Sequence, residues 1–143
     1  MVVALAAPAC GREDAGNGDR DALSAAEFRQ QADAACLRFY ERIDALGSQP
    51  SSADEFAAWA AESLRILREG HAELRQLVPP ESLVETWNEG LALNDEIDEL
   101  LEEQVDAVKE EDVARFQELQ EQIQSKNAEA GQRAREVGLE ECG

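Results

Sequence analysis

The sequence predicts an all-α protein, an up-down-up-down antiparallel four-helix bundle closed by a disulfide from its first helix to its C-terminal tail. Four segments carry apolar residues every three or four positions, the spacing of a helix with one buried face. Short stretches rich in Gly, Pro, Ser or acidic residues separate these segments, and no alternating strand pattern competes. At 143 residues, the chain is long enough for one domain with one core.

The first helix is predicted to begin at Ser24 and to end at Gly47. Ser24 and Glu27 have the spacing of a capping box, in which each side chain bonds the backbone N–H of the other residue. Glycine commonly ends a helix because it adopts the left-handed conformation without strain. The predicted buried stripe, beside which Cys36 lies, is Phe28, Ala32, Ala35, Phe39, Ile43 and Leu46.

The second helix is predicted to begin at Ser52, with a second capping box to Glu55, and to end at Pro79-Pro80. Proline ends a helix because it lacks the amide hydrogen and restricts the residue before it. Pro80 is then tolerated in the first turn of the third helix. The apolar stripe of the third helix runs to about 109, and acidic residues follow it. Negative charge is unfavourable at a helix C-terminus and favourable at an N-terminus, so the turn is predicted at about 109–112.

The fourth helix is predicted to start after Asp112 as its N-cap and to end at Gly138. Leu139 supplies the apolar contact that often follows such a glycine. Since all four connections are short, consecutive helices are expected to be antiparallel neighbours.

The N-terminal residues resemble the end of a bacterial lipoprotein signal peptide. Residues 1–9 are apolar and end in small residues, and Cys10 follows at the position that carries the lipid in such proteins. We therefore expect a partial signal peptide over 1–9, a flexible tether over 10–23 and the bundle over 24–143. No Lys or Arg precedes the apolar run, which indicates a start site upstream; the alternative is a cytosolic chain with an apolar N-terminus.

The chain has three cysteines, and an odd count requires one that is free or modified. Lipidation of Cys10 leaves Cys36 and Cys142 to pair in an oxidising compartment. Cys36 lies about 18 Å along the first helix, and the tail after Gly138 spans roughly 13–17 Å, so the tail can reach it. The alternative is three reduced, buried thiols in a cytosolic protein.

Three segments are similar to those of a loose group of uncharacterised bacterial envelope lipoproteins. They are Ala34-Ala35-Cys36, the Pro79-Pro80 break and the ending Val137-Gly138-Leu139-Glu140-Glu141-Cys142-Gly143. The resemblance implies a secreted, disulfide-bonded helical bundle and implies no activity. It places the protein in the bacterial cell envelope, lipid-anchored on the extracytoplasmic side of the membrane or secreted.

Two asparagines interrupt the apolar faces of the last two helices. Asn94 and Asn127 fall near the middle of their apolar arcs. One antiparallel register sets them opposite each other, with Gly90 opposite Gly131 and Trp87 opposite Ala134. We expect a buried amide pair that fixes register; the alternative is a small polar ligand pocket beside the glycines.

His71 is the only histidine and is expected to lie at the edge of the core as a hydrogen-bonded side chain. A metal centre is not expected, because it needs several convergent ligands. Four acidic residues follow one flank of the third helix and are expected to be solvated; the alternative is a divalent-cation site. They are Asp95, Glu99, Glu102 and Asp106.

The formal net charge of −19 argues against nucleic acid and anionic lipid surfaces as partners. No catalytic, cofactor or metal motif is found in the sequence, so neither an enzyme nor a resident cofactor is expected. The expected function is a non-catalytic, lipid-anchored domain that binds a protein or envelope component. The alternative is a small-ligand or cation carrier or sensor that uses the polar layer or the acidic face. Contact with the membrane is expected through the lipid alone, and the sequence does not predict an oligomeric state.

Overall fold

The computed structural model describes residues 21–142, and within that range the chain is all-helical. Its elements are α1 (Ala25–Asp44), α2 (Ala53–Leu74), a 3-10 turn (Glu81–Leu83), α3 (Val84–Lys109) and α4 (Val113–Val137). The predicted helix count, order and fold class are confirmed. The predicted signal peptide, Cys10 and most of the predicted tether lie outside the described residues.

The N-terminal caps follow the sequence prediction in two of three cases. Ser24 Oγ accepts from the Glu27 N–H at 3.3 Å, and the Glu27 carboxylate accepts from the Ser24 N–H at 3.2 Å. The Glu27 carboxylate also accepts from the Ser24 hydroxyl at 2.5 Å, and this bond, with the one from the Ser24 N–H, holds the pKa of Glu27 below its ordinary value. Asp112 accepts from the Arg115 N–H at 3.0 Å, as expected of an N-cap. The second capping box is wrong, because Ser52 Oγ bonds the Glu55 carboxylate rather than a backbone amide.

The third helix begins later than predicted, because the residues after Pro80 form the tighter 3-10 turn before the α-helix starts at Val84. The end of α4 is as expected. Gly138 has φ +88°, and the Leu139 N–H donates to the Ala134 carbonyl at 2.9 Å. Leu139 is only 4% exposed, so the chain turns back into the core directly after the helix.

Backbone contact is close between sequence neighbours, α1 with α2, α2 with α3 and most extensively α3 with α4. The pair α1 and α4 makes no comparable contact. The two helices are joined at one end, by bonds from α1 to the last residue of α4 and to the tail after it. Arg29 Nε donates to the Val137 carbonyl at 2.8 Å, and Asp33 accepts from the backbone N–H groups of Glu140 and Glu141 at 3.0 and 2.9 Å. We call these bonds, with the disulfide described next, the tail clasp.

The predicted disulfide between Cys36 and Cys142 is present, with a Cα–Cα distance of 5.3 Å. Cys36 is buried and Cys142 half-buried. At the same end of the bundle, the Leu23 N–H donates to the Val78 carbonyl at 3.0 Å, and the Leu23 side chain packs against the core. Leu23, expected in the tether, therefore belongs to the folded domain.

The main hydrophobic core lies at the end of the bundle that the tail clasp closes. Phe28 is fully buried and meets Trp87 edge to face, with ring centroids 4.9 Å apart. The core draws on the start of α1, the end of α2, the start of α3, the end of α4 and the tail. Its members include Ala32, Ala35, Cys36, Phe39, Ile66, Leu74, Ala134, Val137 and Leu139.

The expected buried amide pair of α3 and α4 is wrong. Asn127 is exposed, Asn94 is half-buried, and no hydrogen bond joins the two among the described residues. Gln104 and Gln120 form the interhelical amide pair instead, at 2.9 Å, with Gln104 buried. Asn127 borders a cavity that Tyr40 and Ile43 of α1 also line, so α1 does not cover it.

The expected pairing of two glycines is also not found. A Cβ built on Gly90 would lie nearest the Cβ of Arg133, at 3.5 Å, so Gly90 faces Arg133 rather than Gly131. A tight contact between helices occurs at Gly70 of α2, where a Cβ would lie 2.3 Å from Cδ1 of Phe39. A glycine is therefore required at 70 for packing, which the sequence pattern did not reveal.

We predict that Gly70→Ala lowers the free energy of unfolding by about 1–3 kcal/mol, because the methyl group forces the buried Phe39 ring to move. Urea denaturation checks this. Gly90→Ala is the matched control, since its methyl meets only an ordinary contact. That variant should gain about 0.5–1 kcal/mol from the lower helix cost of alanine. Equal effects of the two changes would contradict the packing seen at Gly70.

We predict that Cys142→Ser lowers the free energy of unfolding by about 2–5 kcal/mol, the range for loss of a native disulfide. The measurement is made in the Cys10→Ser background, in which the parent protein should show no free thiol after oxidative folding. Cys142→Ser should then expose one thiol, that of Cys36, by thiol titration. Two free thiols in the oxidised parent would rule out the bridge.

Candidate ligand-binding cleft

A cavity of about 420 Å³ opens between the helices, and all four contribute to its lining. We call it the cleft. Its walls are mostly apolar, with a few polar side chains, which is the usual make-up of a small-molecule site, and its volume falls in the usual range. The apolar part consists mainly of Ile43, Leu67, Ile97, Leu101 and Ile123.

The mouth of the cleft lies between α1 and α4. Two of its lining residues are exposed, Tyr40 on α1 and Asn127 on α4, whereas the others are half-buried or buried. The opening follows from the arrangement of the helices. Sequence neighbours pack closely, while α1 and α4 are held together at one end by the tail clasp.

A smaller chamber of about 50 Å³ adjoins the cleft on its core side, and we call it the inner chamber. The two cavities share five lining residues, Tyr40, His71, Asn94, Ala130 and Cys142. The inner chamber reaches Trp87 and the core side chains around it. Since a water molecule needs only about 10–15 Å³ by this measure, there is room for a small polar group.

His71 is fixed by a partner that the sequence analysis missed. Its Nδ1 lies 3.0 Å from Oδ2 of Asp98 on α3, and both side chains are buried. As a carboxylate, Asp98 accepts, so Nδ1 carries the hydrogen and Nε2 of a neutral ring has a free lone pair. Nε2 makes no hydrogen bond with the described residues, and His71 lines both cavities.

Trp87 lines the inner chamber, and its indole N–H has no acceptor. The residue is 6% exposed, and Nε1 is buried without a hydrogen-bond partner in the described part of the chain. A buried indole N–H normally finds an acceptor. Trp59 shows the ordinary case, since its Nε1 donates to the Gly47 carbonyl at 3.3 Å.

Tyr40, the only tyrosine, stands at the mouth with 42% of its surface exposed. Its ring packs on Phe39, with centroids 4.5 Å apart. Desolvation raises the pKa of the phenol above its ordinary value, so the hydroxyl is neutral at physiological pH and can both donate and accept.

The structure brings together most of the predicted polar residues, although not as predicted. Asn94, Asn127, Gly131 and His71 line the cleft, and Gly90 lines the inner chamber. The predicted core-edge position of His71 is confirmed, with a hydrogen bond that satisfies one ring nitrogen. One feature of the sequence could have pointed to Asp98 as a residue of this site. It follows Asn94 by four residues and therefore lies on the same face of the helix.

All four acidic residues on the flank of α3 are exposed, and three of them, all but Glu99, make ion pairs among the described residues. Asp95 pairs with Arg75, and Glu102 pairs with Arg68 at 2.6 Å, so both tie α3 to α2. Asp106 pairs with Lys109 at 2.8 Å. No group of three or more possible metal ligands occurs among residues 21–142. The flank thus supplies cross-links between helices and offers little support for a cation site.

No protein-family model, curated protein or solved structure matches the chain. The resemblance to envelope lipoproteins therefore stays a prediction from the sequence. Within the described residues, no helix combines the length and apolar character needed to cross a membrane.

We predict that His71→Leu and Asp98→Leu each lower the free energy of unfolding by about 1–3 kcal/mol, because each leaves a buried polar partner without its hydrogen bond. The double variant should recover much of that loss. Chemical denaturation of all four proteins of the cycle measures the coupling.

The matched control is the exposed ion pair of Arg68 and Glu102, which joins the same two helices. Its disruption by Arg68→Leu should cost at most about 1 kcal/mol. Additive losses in the cycle of His71 and Asp98 would show that the two side chains are not coupled.

Proposed function

We propose that this chain is a lipid-anchored, extracytoplasmic and non-catalytic binding domain that holds a small, largely apolar molecule in the cleft. One observation carries the proposal: an open cavity of about 420 Å³ that all four helices line with apolar walls and a few polar groups. Of the two functions that the sequence suggests, the geometry favours the small-ligand carrier or sensor.

Export is supported by the disulfide of the tail clasp, since such bonds persist in oxidising compartments and are rare in the cytosol. The lipid anchor at Cys10 is supported by the sequence alone. A binding role is favoured over catalysis because Cys142, the one cysteine that lines the cleft, forms the disulfide and therefore has no free thiol to act as a nucleophile.

A protein partner receives less support from the surface. The large hydrophobic side chains exposed among the described residues are Leu37, Tyr40, Val84 and Val113. They are divided among α1, α3 and α4, whereas a protein-binding site normally presents a contiguous apolar patch. Leu37 and Tyr40 are the two that share a helix, and Tyr40 already borders the mouth of the cleft.

The proposal is tested with naphthalene as a neutral, apolar probe and with labelled isoleucine methyl groups observed by NMR. The chain has four isoleucines, of which Ile43, Ile97 and Ile123 line the cleft and Ile66 lies in the core. We predict that naphthalene shifts the three cleft signals and leaves that of Ile66 almost unchanged.

Ala130→Phe should abolish these shifts, because the ring fills the space where Ala130 borders both cavities. Ala128→Phe is the matched control, since that position on the same helix is exposed and lines neither cavity. Asn127→Trp at the mouth gives a second blocking variant that leaves the core intact. Absence of shifts in the parent protein, or equal shifts of all four signals, would contradict the proposal.

A further inference from the structure

We propose that the ligand is an uncharged apolar molecule with one hydroxyl group, of the phenol class. Its hydroxyl occupies the inner chamber and its apolar body occupies the cleft. This inference rests on the proposed function and adds the chemistry of the ligand. It is drawn from hydrogen-bonding groups that the fold leaves unpaired.

The first group is the indole N–H of Trp87, which requires an acceptor. Nε1 is buried and has no partner among the described residues, and the Trp87 residue lines the inner chamber. A buried donor without a partner is unfavourable, so an acceptor in the chamber is favoured. The ring is fixed by its edge-to-face contact with Phe28, which keeps the donor in place.

The second group is Nε2 of His71, which lines the same chamber. The bond from Nδ1 to Asp98 leaves Nε2 of the neutral imidazole as an acceptor. A ligand group that satisfies both atoms accepts from Trp87 and donates to a neutral His71. A hydroxyl has one donor hydrogen and two acceptor lone pairs, so it can do both.

The size of the chamber supports a hydroxyl over a larger polar group. About 50 Å³ suits one or a few small polar atoms, whereas the adjoining cleft of about 420 Å³ suits an apolar body such as a fused ring. A ligand hydroxyl can both donate and accept, as a water molecule does, so it loses no hydrogen bonding when it takes the place of one.

Charge argues for a neutral ligand. The net charge is −19, and Arg133, the one arginine or lysine in the lining of the inner chamber, already pairs with Glu89 and Glu136 at 2.8 Å each. No free cation of the described lining balances a bound anion, whose burial is costly without a partner. An ammonium group has no lone pair to accept from Trp87.

The experiment compares four probes with the same body at neutral pH: naphthalene, 2-naphthol, 2-naphthoate and 2-naphthylmethylammonium. Dissociation constants come from titration of the isoleucine methyl signals of the full, oxidised chain. We expect 2-naphthol to bind at least about tenfold more tightly than naphthalene, which corresponds to about 1.4 kcal/mol. Naphthoate should bind most weakly.

Trp87→Phe keeps an aromatic ring against Phe28 and removes the donor. In that variant 2-naphthol should lose most of its advantage over naphthalene, because only the bond to His71 remains, while naphthalene is unaffected. Trp59→Phe is the control and should change neither constant, because Trp59 donates to Gly47 away from the cleft. The Trp59→Phe protein also has a single indole N–H signal, which 2-naphthol, and not naphthalene, should move downfield. This readout holds even if Trp87→Phe does not fold.

The outcomes separate the two proposals. Equal binding of naphthalene and 2-naphthol, or a preference that Trp87→Phe leaves undiminished, overturns the hydroxyl assignment and leaves the small-molecule cleft in place. Tightest binding of the carboxylate or ammonium probe also overturns it. If no probe shifts the cleft signals, both the hydroxyl assignment and the proposed function fail.

Discussion

The tail clasp is the constraint on which the rest of this structure depends. In many four-helix bundles the first and last helices pack along their length, but here α1 and α4 are joined at one end by bonds to the tail. The disulfide links residues 106 positions apart and closes the circle of helices beside the core. Beyond that end nothing draws α1 onto α4, and the cleft is the space that remains.

The ion pairs between helices, like the backbone contacts, join consecutive helices among the described residues. Ion pairs join α1 to α2 through Arg42 and Glu69, α2 to α3 through Arg68 and Glu102, and α3 to α4 through Lys126 and Glu96. In the described residues none joins α1 to α4. Exposed pairs add little stability each, so their main effect is on register and on the choice of neighbour. The surface thus favours consecutive hairpins and leaves the fourth side of the bundle open.

Helix number, caps and the disulfide could be predicted because each depends on local signals or on chain reach. Ser24, Asp112 and Gly138 are such local signals. Apart from the capping box at Ser52 and the start of α3, the wrong predictions concern which helix faces are covered. A helical wheel gives the direction of Asn127 relative to the axis of α4, but not whether another helix covers that side. The burial of Asp98 depends on His71 from another helix, and the need for glycine at 70 depends on the Phe39 ring. Such facts arise only when helices meet.

The position of Cys142 has a thermodynamic consequence. This residue belongs to the disulfide and also forms part of the wall of both cavities. If reduction of the bond releases the tail, the wall is lost and ligand affinity falls. Linkage then requires the reverse effect with the same coupling energy: a bound ligand makes the disulfide harder to reduce. Occupancy of the cleft and the redox state of the protein are, in this sense, two coupled equilibria.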